Sequence, residues 1–423
     1  MKHANAYGFL PGNDSEKNAK ALQAVVDLGG QIVVDLPGIY DLSETIEIGD
    51  DTSILFSQGV QIRRQRSRSG RTGMLFLNKG CDSATYNKNI RLIGLHIDCN
   101  GVESSDSYEN SRLVGLRAHV GMIYVKNLVV EDFECTGTLS KDYSIQISAF
   151  ENIRLENLYI EGNKDGVHLG WGNGFVIRHG KFRTYDDPIA LNAFDYATSN
   201  THVGWIENGL IEDCYDLPAK STTGFFCRIL GGAWCDWEKG MQIQHSDTVC
   251  HGGCVYRAIL RPDGKFYTSN TPPSHQRLGE LKSYDGISWV CVRNDAVYDC
   301  GCRNIVFRDL HFQKERNIGI HISLNYDSYA RSYYPGCNII PQGNLTFERI
   351  SVENKINMLL CSNYPSEHIT VRDTDLKDAK IDFRASKIDG ISYPTVDLTL
   401  ERVNRKENSI VTDERNHVRL IER

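Results

Sequence analysis

The chain of 423 residues contains no apolar run near the roughly 18 residues a membrane-spanning helix needs, so no helical span is expected. It also lacks a positive surplus. Its 47 Lys and Arg stand against 54 Asp and Glu, a net charge of −7, and no basic patch argues for nucleic acid. The opening MKHANAYGF has no apolar h-region, so the expectation is a cytoplasmic protein or the processed form of a secreted or periplasmic one. A disulfide framework is not indicated either. Thirteen cysteines, an odd number, are scattered from Cys81 to Cys361 in a chain long enough to build a core without them. Cys250, His251 and Cys254 with Cys300 and Cys302 follow no zinc-ligand spacing, so buried free thiols are expected, with no metal and no cofactor.

Helical text is clearest between Gly12 and Gly30. Ala19, Leu22, Val25 and Val26 fall at helical spacing, Asn13 or Asp14 supplies an N-cap, and Gly29-Gly30 stops the run. The text after it is strand-like and punctuated by Pro-Gly, Gly-Asp and Gln-Gly turns.

One phrase then recurs: Asn, two alternating apolar positions, Asn or Asp, two more alternating apolar positions. It reads NIRLIGLHID from Asn89, NLVVEDFEC from Asn127 and NIRLENLYIE from Asn152. It returns as NIVFRDLHFQ from Asn304, NLTFERISVE from Asn344 and, loosely, HITVRDTDL from His368, while GFVIRHGKFR from Gly174 fits without the leading Asn. Copies start 25, 22 and 24 residues apart, which signals an all-β parallel solenoid. The mid-phrase Asn or Asp should turn the corner, since both tolerate the left-handed conformation. An antiparallel sandwich would not repeat one nine-residue phrase with the same Asn placement. The expected organisation is an N-terminal cap and first solenoid part over 1–237, a small β-rich insertion over 238–300, and the rest of the solenoid over 301–423. The insertion loosely resembles short β modules of carbohydrate-active and phage tail-spike proteins.

Chemistry concentrates in NKDGVHLGWGNGFVIRHGKFRTYDDPIALN, from Asn163 to Asn192. A residue one coil later lies about 4.8 Å away in space. Asp165 and Asp186 are 21 residues apart, about one coil, with Asp187 as the alternate neighbour. Carboxylates so close cannot all ionise freely, which places an acid beside a base, the requirement for cleaving a glycosidic bond. Asp-Gly is also a routine turn, so the carboxylates alone leave a purely structural role open.

These residues resemble the pectin-lyase-like right-handed β-helices, and among them the family 28 glycoside hydrolases, which include polygalacturonases. The family's Asn-Thr-Asp-Gly signature stands here as Asn163-Lys164-Asp165-Gly166-Val167-His168-Leu169. Its Gly-Asp-Asp-Cys-Ile-Ala signature stands as Tyr185-Asp186-Asp187-Pro188-Ile189-Ala190-Leu191. The resemblance implies a right-handed parallel β-helix with an N-terminal capping helix. It makes Asp186 the general acid, with Asp165 and Asp187 activating water and inversion as the outcome. Asn163 and His168 would line the groove.

The family's Gly-His-Gly is absent and His202 is the nearest histidine. Its Arg-Ile-Lys stands as Arg228-Ile229-Leu230, without the lysine that would help hold a uronate, so a neutral-sugar substrate is also compatible. Asn192 and Asp195, with His321, Asn325, Asp327, Arg331 and Tyr333, are candidate groove walls, suited to sugar hydroxyls and ring faces. The expected partner is an oligo- or polysaccharide, pectin-related or another glycan, attacked from its end because the insertion could close the groove. A non-catalytic carbohydrate-binding or adhesion helix, or a polysaccharide lyase, is the alternative.

Overall fold

The computed structural model describes residues 1–67, 73–103, 113–220 and 222–423. Asn127 and Asp132 both adopt the left-handed conformation, with φ of 56° and 53°, and the chain turns a corner at each. The same pair of corners recurs at Asn152 and Asn157, Gly174 and His179, Asn304 and Asp309, Asn344 and Arg349, and His368 and Asp373. The repeated phrase is therefore a short strand between two bends, and its leading Asn turns the chain as well as its middle residue. Asn208 and Asp213, with φ of 58° and 48°, form a further copy that the sequence reading passed over.

Residues between these corners stack in register along the axis. Leu128 pairs with Ile153, Ile153 with Phe175, Phe175 with Gly209, and Gly209 with Ile305. Ile305 then pairs with Leu345, Leu345 with Ile369, and Ile369 with Leu398, all in parallel. The apolar members of this column are buried, so each coil adds one layer to a continuous core. Outside, the leading asparagines form a ladder. Asn127 Nδ2 donates to Asn89 Oδ1 at 3.0 Å, Asn304 to Asn208 at 3.2 Å, and Asn344 to Asn304 at 3.1 Å. Left-handed corners and amide stacking both favour Asn, which is why it recurs.

The helix spans Ser15–Val26, with the Asp14 carboxylate accepting from Lys17 N–H at 2.8 Å. Asn18, Ala19, Leu22, Val25 and Val26 are buried, and the helix packs on strands Gly38–Leu42 and Ile46–Ile48, covering the first coils. Among the described residues no helix is long and apolar enough to cross a membrane.

Strand Ile206–Asp216 pairs directly with Cys302–Phe312, and Cys227–Leu230 with Arg316–Ser323, so the coils stack across the stretch inserted between Leu230 and Cys302. Strands of that stretch form a separate five-stranded sheet, including Thr248–His251, Cys254–Ile259 and Ile287–Arg293, around Ile243, Tyr256 and Trp289. All thirteen cysteines are free thiols, and only Cys235 and Cys337 are not fully buried.

Candidate active site

The strands Val167–Leu169, Ile189–Asn192, Cys227–Leu230 and Arg316–Ser323 lie side by side. Val167, Leu169, Ile189, Leu191, Cys227, Ile229, Ile320 and Ile322 belong to the core, so strand alternation turns their neighbours outward. The outward register row reads His168, Ala190, Arg228, His321. A second row, two residues on, reads Asn192, Leu230, Ser323.

The carboxylates stand just before these strands. Val167 pairs with Ile189, and Gly166 N–H donates to the Asp187 carbonyl at 2.9 Å. The coil is therefore 22 residues long here, which sets Asp165 opposite Asp187 and Lys164 opposite Asp186. The 21-residue spacing that sequence suggested for Asp165 and Asp186 is one short: their contact is diagonal. One carboxylate oxygen from each of the three aspartates lies within 4.8 Å of the others. Asp165 and Asp187 are buried, while Asp186 keeps a side-chain exposure of 21%.

Each carboxylate has its own surroundings. Asp165 Oδ2 lies 3.1 Å from His168 Nδ1, and its Oδ1 lies 3.6 Å from Lys164 Nζ. Burial pushes the Asp165 carboxyl up, but Lys164, His168 and Arg228 together hold it below the usual carboxylate range. Asp187 Oδ1 accepts from Phe225 N–H at 2.6 Å. Burial, then the charges of Asp186 and Asp165, push Asp187 well above that range. Asp186 is raised by burial and by Asp165, which outweigh the pull of its Lys164 ion pair. The cluster thus sets one carboxyl held below the usual range, Asp165, beside two held above it, Asp186 and Asp187.

Gly224 closes the cluster on one side. Its φ is +64°, and a Cβ there would lie 2.3 Å from Asp187 Oδ1 and 2.5 Å from Asp186 Oδ1. Its loop is tied down by Arg316, whose guanidinium donates to Thr222 Oγ1 at 3.2 Å and to the Thr223 carbonyl at 3.1 Å. Arg316 also forms a fully buried bidentate pair with Asp216, at 2.5 and 3.1 Å.

Arg228 is half-buried and makes no hydrogen bond or ion pair with any described residue, although Asp195, Asp187, Asp165 and Asp186 all act on its charge. Around it, His168 Nε2, His321 Nδ1, Asn192 Oδ1 and Ser323 Oγ are buried without partners. Unpartnered buried polar groups are costly, and these four are closed to solvent in this structure. His168 stacks on Tyr143 at 4.2 Å, and His321 lies 4.5 Å from the Phe225 ring. Burial, aided by Arg228, lowers His321 to about 3, so it is neutral. Asp195 receives Asn192 Nδ2 at 2.8 Å and Tyr196 N–H at 2.8 Å. Asn163 is exposed and lines an adjoining cavity of about 460 Å³ with Tyr185, Arg183 and Lys220.

Other residues expected in the groove are engaged elsewhere. His202 is buried, with Tyr124 Oη at 2.8 Å from Nε2 and Thr201 Oγ1 at 2.7 Å from Nδ1, so both nitrogens are satisfied away from the carboxylates. Tyr333 is fully buried and donates to the Cys337 carbonyl at 3.1 Å. Arg331 pairs with Asp247 of the insertion at 2.9 Å. Asp327 caps its own turn through Tyr329 and Ala330 N–H, and the Asn325 backbone is bridged by Ser332 Oγ. Asp327, Arg331 and Tyr333 thus fold the 325–337 loop and anchor the insertion to it.

Sequence reading missed Lys164, Tyr143, Gly224 and Ser323. Lys164 was visible as the residue standing where the family's signature carries Thr, whereas Tyr143 and Ser323 carry no local signal. A second buried group, Cys99, His119 and Cys135, lies inside the coils. Arg64 donates to His119 Nδ1, which leaves the proton on Nε2, 3.2 Å from Cys99 Sγ, so this is a hydrogen-bonded core network.

No protein-family model and no curated protein matches the chain. Solved structures do. The polygalacturonase of Erwinia carotovora ssp. carotovora is 10% identical over 95% of this chain and 93% of that one, with a TM-score of 0.52. The family 28 exopolygalacturonase of Yersinia enterocolitica is 12% identical over 100% and 78%, with a TM-score of 0.48. PfbA, a surface adhesin of Streptococcus pneumoniae, is 12% identical over 100% and 92%, with a TM-score of 0.42. The likeness is one of fold: the chain is a right-handed parallel β-helix of the pectin-lyase-like kind, resembling that of the family 28 hydrolases.

Proposed function

We propose that the protein is a glycoside hydrolase that cleaves an oligo- or polysaccharide by carboxylate acid/base chemistry. The observation that carries this reading is the cluster itself, three carboxylates with oxygens within 4.8 Å of one another, one held below the usual carboxylate range and two above it. Asp186, the most exposed of the three, protonates the glycosidic oxygen. Asp165 activates the attacking water as base, and Asp187, which keeps its proton, helps to hold that water. Arg228, which is half-buried, donates to a carboxylate or hydroxyl oxygen of the sugar.

The insertion is anchored to the coil through Arg331–Asp247 and through Arg257 donating to the Asp195 carbonyl, three residues past Asn192, and on this reading it favours attack at chain ends. The test is a panel of aryl glycosides and pectic oligosaccharides, scored for reducing ends and for the absorbance of unsaturated uronides. New reducing ends without that absorbance support hydrolysis. Absorbance identifies a lyase, and no release from any substrate leaves carbohydrate binding as the function.

A further inference from the structure

Lys164 replaces a neutral threonine of the family signature and enters the cluster by backbone register. It lies one coil before Asp186, 22 residues away, and its Nζ forms an ion pair with Asp186 Oδ2 while standing 3.6 Å from Asp165 Oδ1. The ladder hydrogen bonds flanking this position fix the reach of the side chain, so the contact is set by the coil and not by a loose surface arm. With a side-chain exposure of 19%, the ammonium is largely withdrawn from water, where a charge pair is screened little.

The groups facing it are few. Besides Asp165 and Asp186, the Lys164 ammonium meets the Tyr143 ring, 5.9 Å from its centroid, and the Tyr196 hydroxyl. Asp165 also faces His168 and Arg228. Asp187 faces Asp186, Asp165 and Arg228, but not Lys164. Arg228 is shared with Asp195, and Lys314 is bonded to the Thr184 carbonyl. Lys164 is therefore the cation that touches two of the three carboxylates at once.

We propose that Lys164 is a positioning residue that keeps Asp165 ionised and aims Asp186, so that the cluster holds a base and an acid together. This rests on the hydrolase reading for its purpose, but not for its test. Without Lys164, four carboxylates would share Arg228, and Asp165 would take up a proton and cease to be a base. On sugar entry Lys164 remains on Asp165, while Asp186 takes a proton from solvent, leaves the ion pair and turns to the leaving oxygen.

The experiment is a carboxyl ¹³C NMR titration of wild type, Lys164→Met and Lys164→Arg, with Asp165→Asn and Asp186→Asn assigning the signals and thermal melts confirming the fold. Lys164→Met should move the Asp165 titration up by about 1–3 pH units, the effect of losing a nearby opposite charge, and Lys164→Arg should leave it in place. The acidic limb of any pH–rate profile should move by the same amount. An Asp165 titration unchanged in Lys164→Met would overturn the inference, as would a Lys164→Arg protein that behaves like Lys164→Met. A shifted titration in a protein that hydrolyses nothing at any pH would support the role of Lys164 and count against the hydrolase reading alone.

Discussion

Asp165 and Asp187 occupy the same position on consecutive coils, so the backbone ladder between Val167 and Ile189 sets their separation. Both stand two residues before a strand, and the ladder bond from Gly166 N–H to the Asp187 carbonyl holds the backbone between them. Two hydrogen bonds of about 2.8 Å each span the gap, so one water can bridge the two carboxylates.

This spacing makes the stereochemistry informative. Paired carboxylates that flank the scissile bond lie about 6.5–9.5 Å apart in inverting enzymes and about 5–5.5 Å in retaining ones. Here oxygens of all three lie within 4.8 Å of one another, short of both ranges. The family resemblance predicts inversion, with water delivered to the face opposite the leaving group. ¹H NMR of the first-formed anomer checks it. Retention would make Asp165 or Asp187 a nucleophile.

Activity should be highest at acidic pH. Asp165 lies below the ordinary carboxylate value of about 4 and Asp186 above it, so base and acid coexist between the two. Hydrolysis should fall as pH rises through the raised Asp186 value, because the proton it must donate is then gone. Stability shares the sign. Asp187, also raised, binds its proton more tightly folded than unfolded, so its contribution is complete below the unfolded value and lost as pH rises through the folded one. Melting temperature against pH should be flatter in Asp187→Asn than in wild type.

Gly224→Ala should damage activity far more than stability. The added methyl would press on both Asp186 and Asp187, and φ of +64° disfavours any side chain. A displacement of about 1 Å in a catalytic group costs roughly 100-fold in rate. The expected result is a loss of that order in kcat, measured beside an unfolding curve shifted only modestly.

Arg316→Met removes one partner of a buried ion pair and leaves the Asp216 charge unpaired. Such a change typically costs about 3–5 kcal/mol. Urea denaturation should show a loss of that size, and activity should drop with it because the 222–224 loop loses its anchor.

Much of this was legible in the sequence, for reasons the structure makes plain. Left-handed corners accept few residue types, so Asn127, Asp132, Asn304 and Asp309 announce the coil directly. The carboxylate cluster followed once the period was known, although a one-residue error in coil length paired Asp165 with Asp186 in place of Asp187. Side chains brought in from other coils were not legible. Tyr143 under His168 and Ser323 opposite Leu230 meet the site only through the stacking of coils. His202, Tyr333 and Arg331 have the residue types of a sugar groove, and only burial and bonding show that they hold the scaffold.

The most direct test is Asp186→Asn, an isosteric change that removes the proton donor and keeps the shape of the groove. On the best substrate of the panel, kcat should fall by about 100- to 10,000-fold, the usual contribution of a general acid, while substrate binding measured by calorimetry persists. Hydrolysis that continues at the wild-type rate in Asp186→Asn would contradict the account.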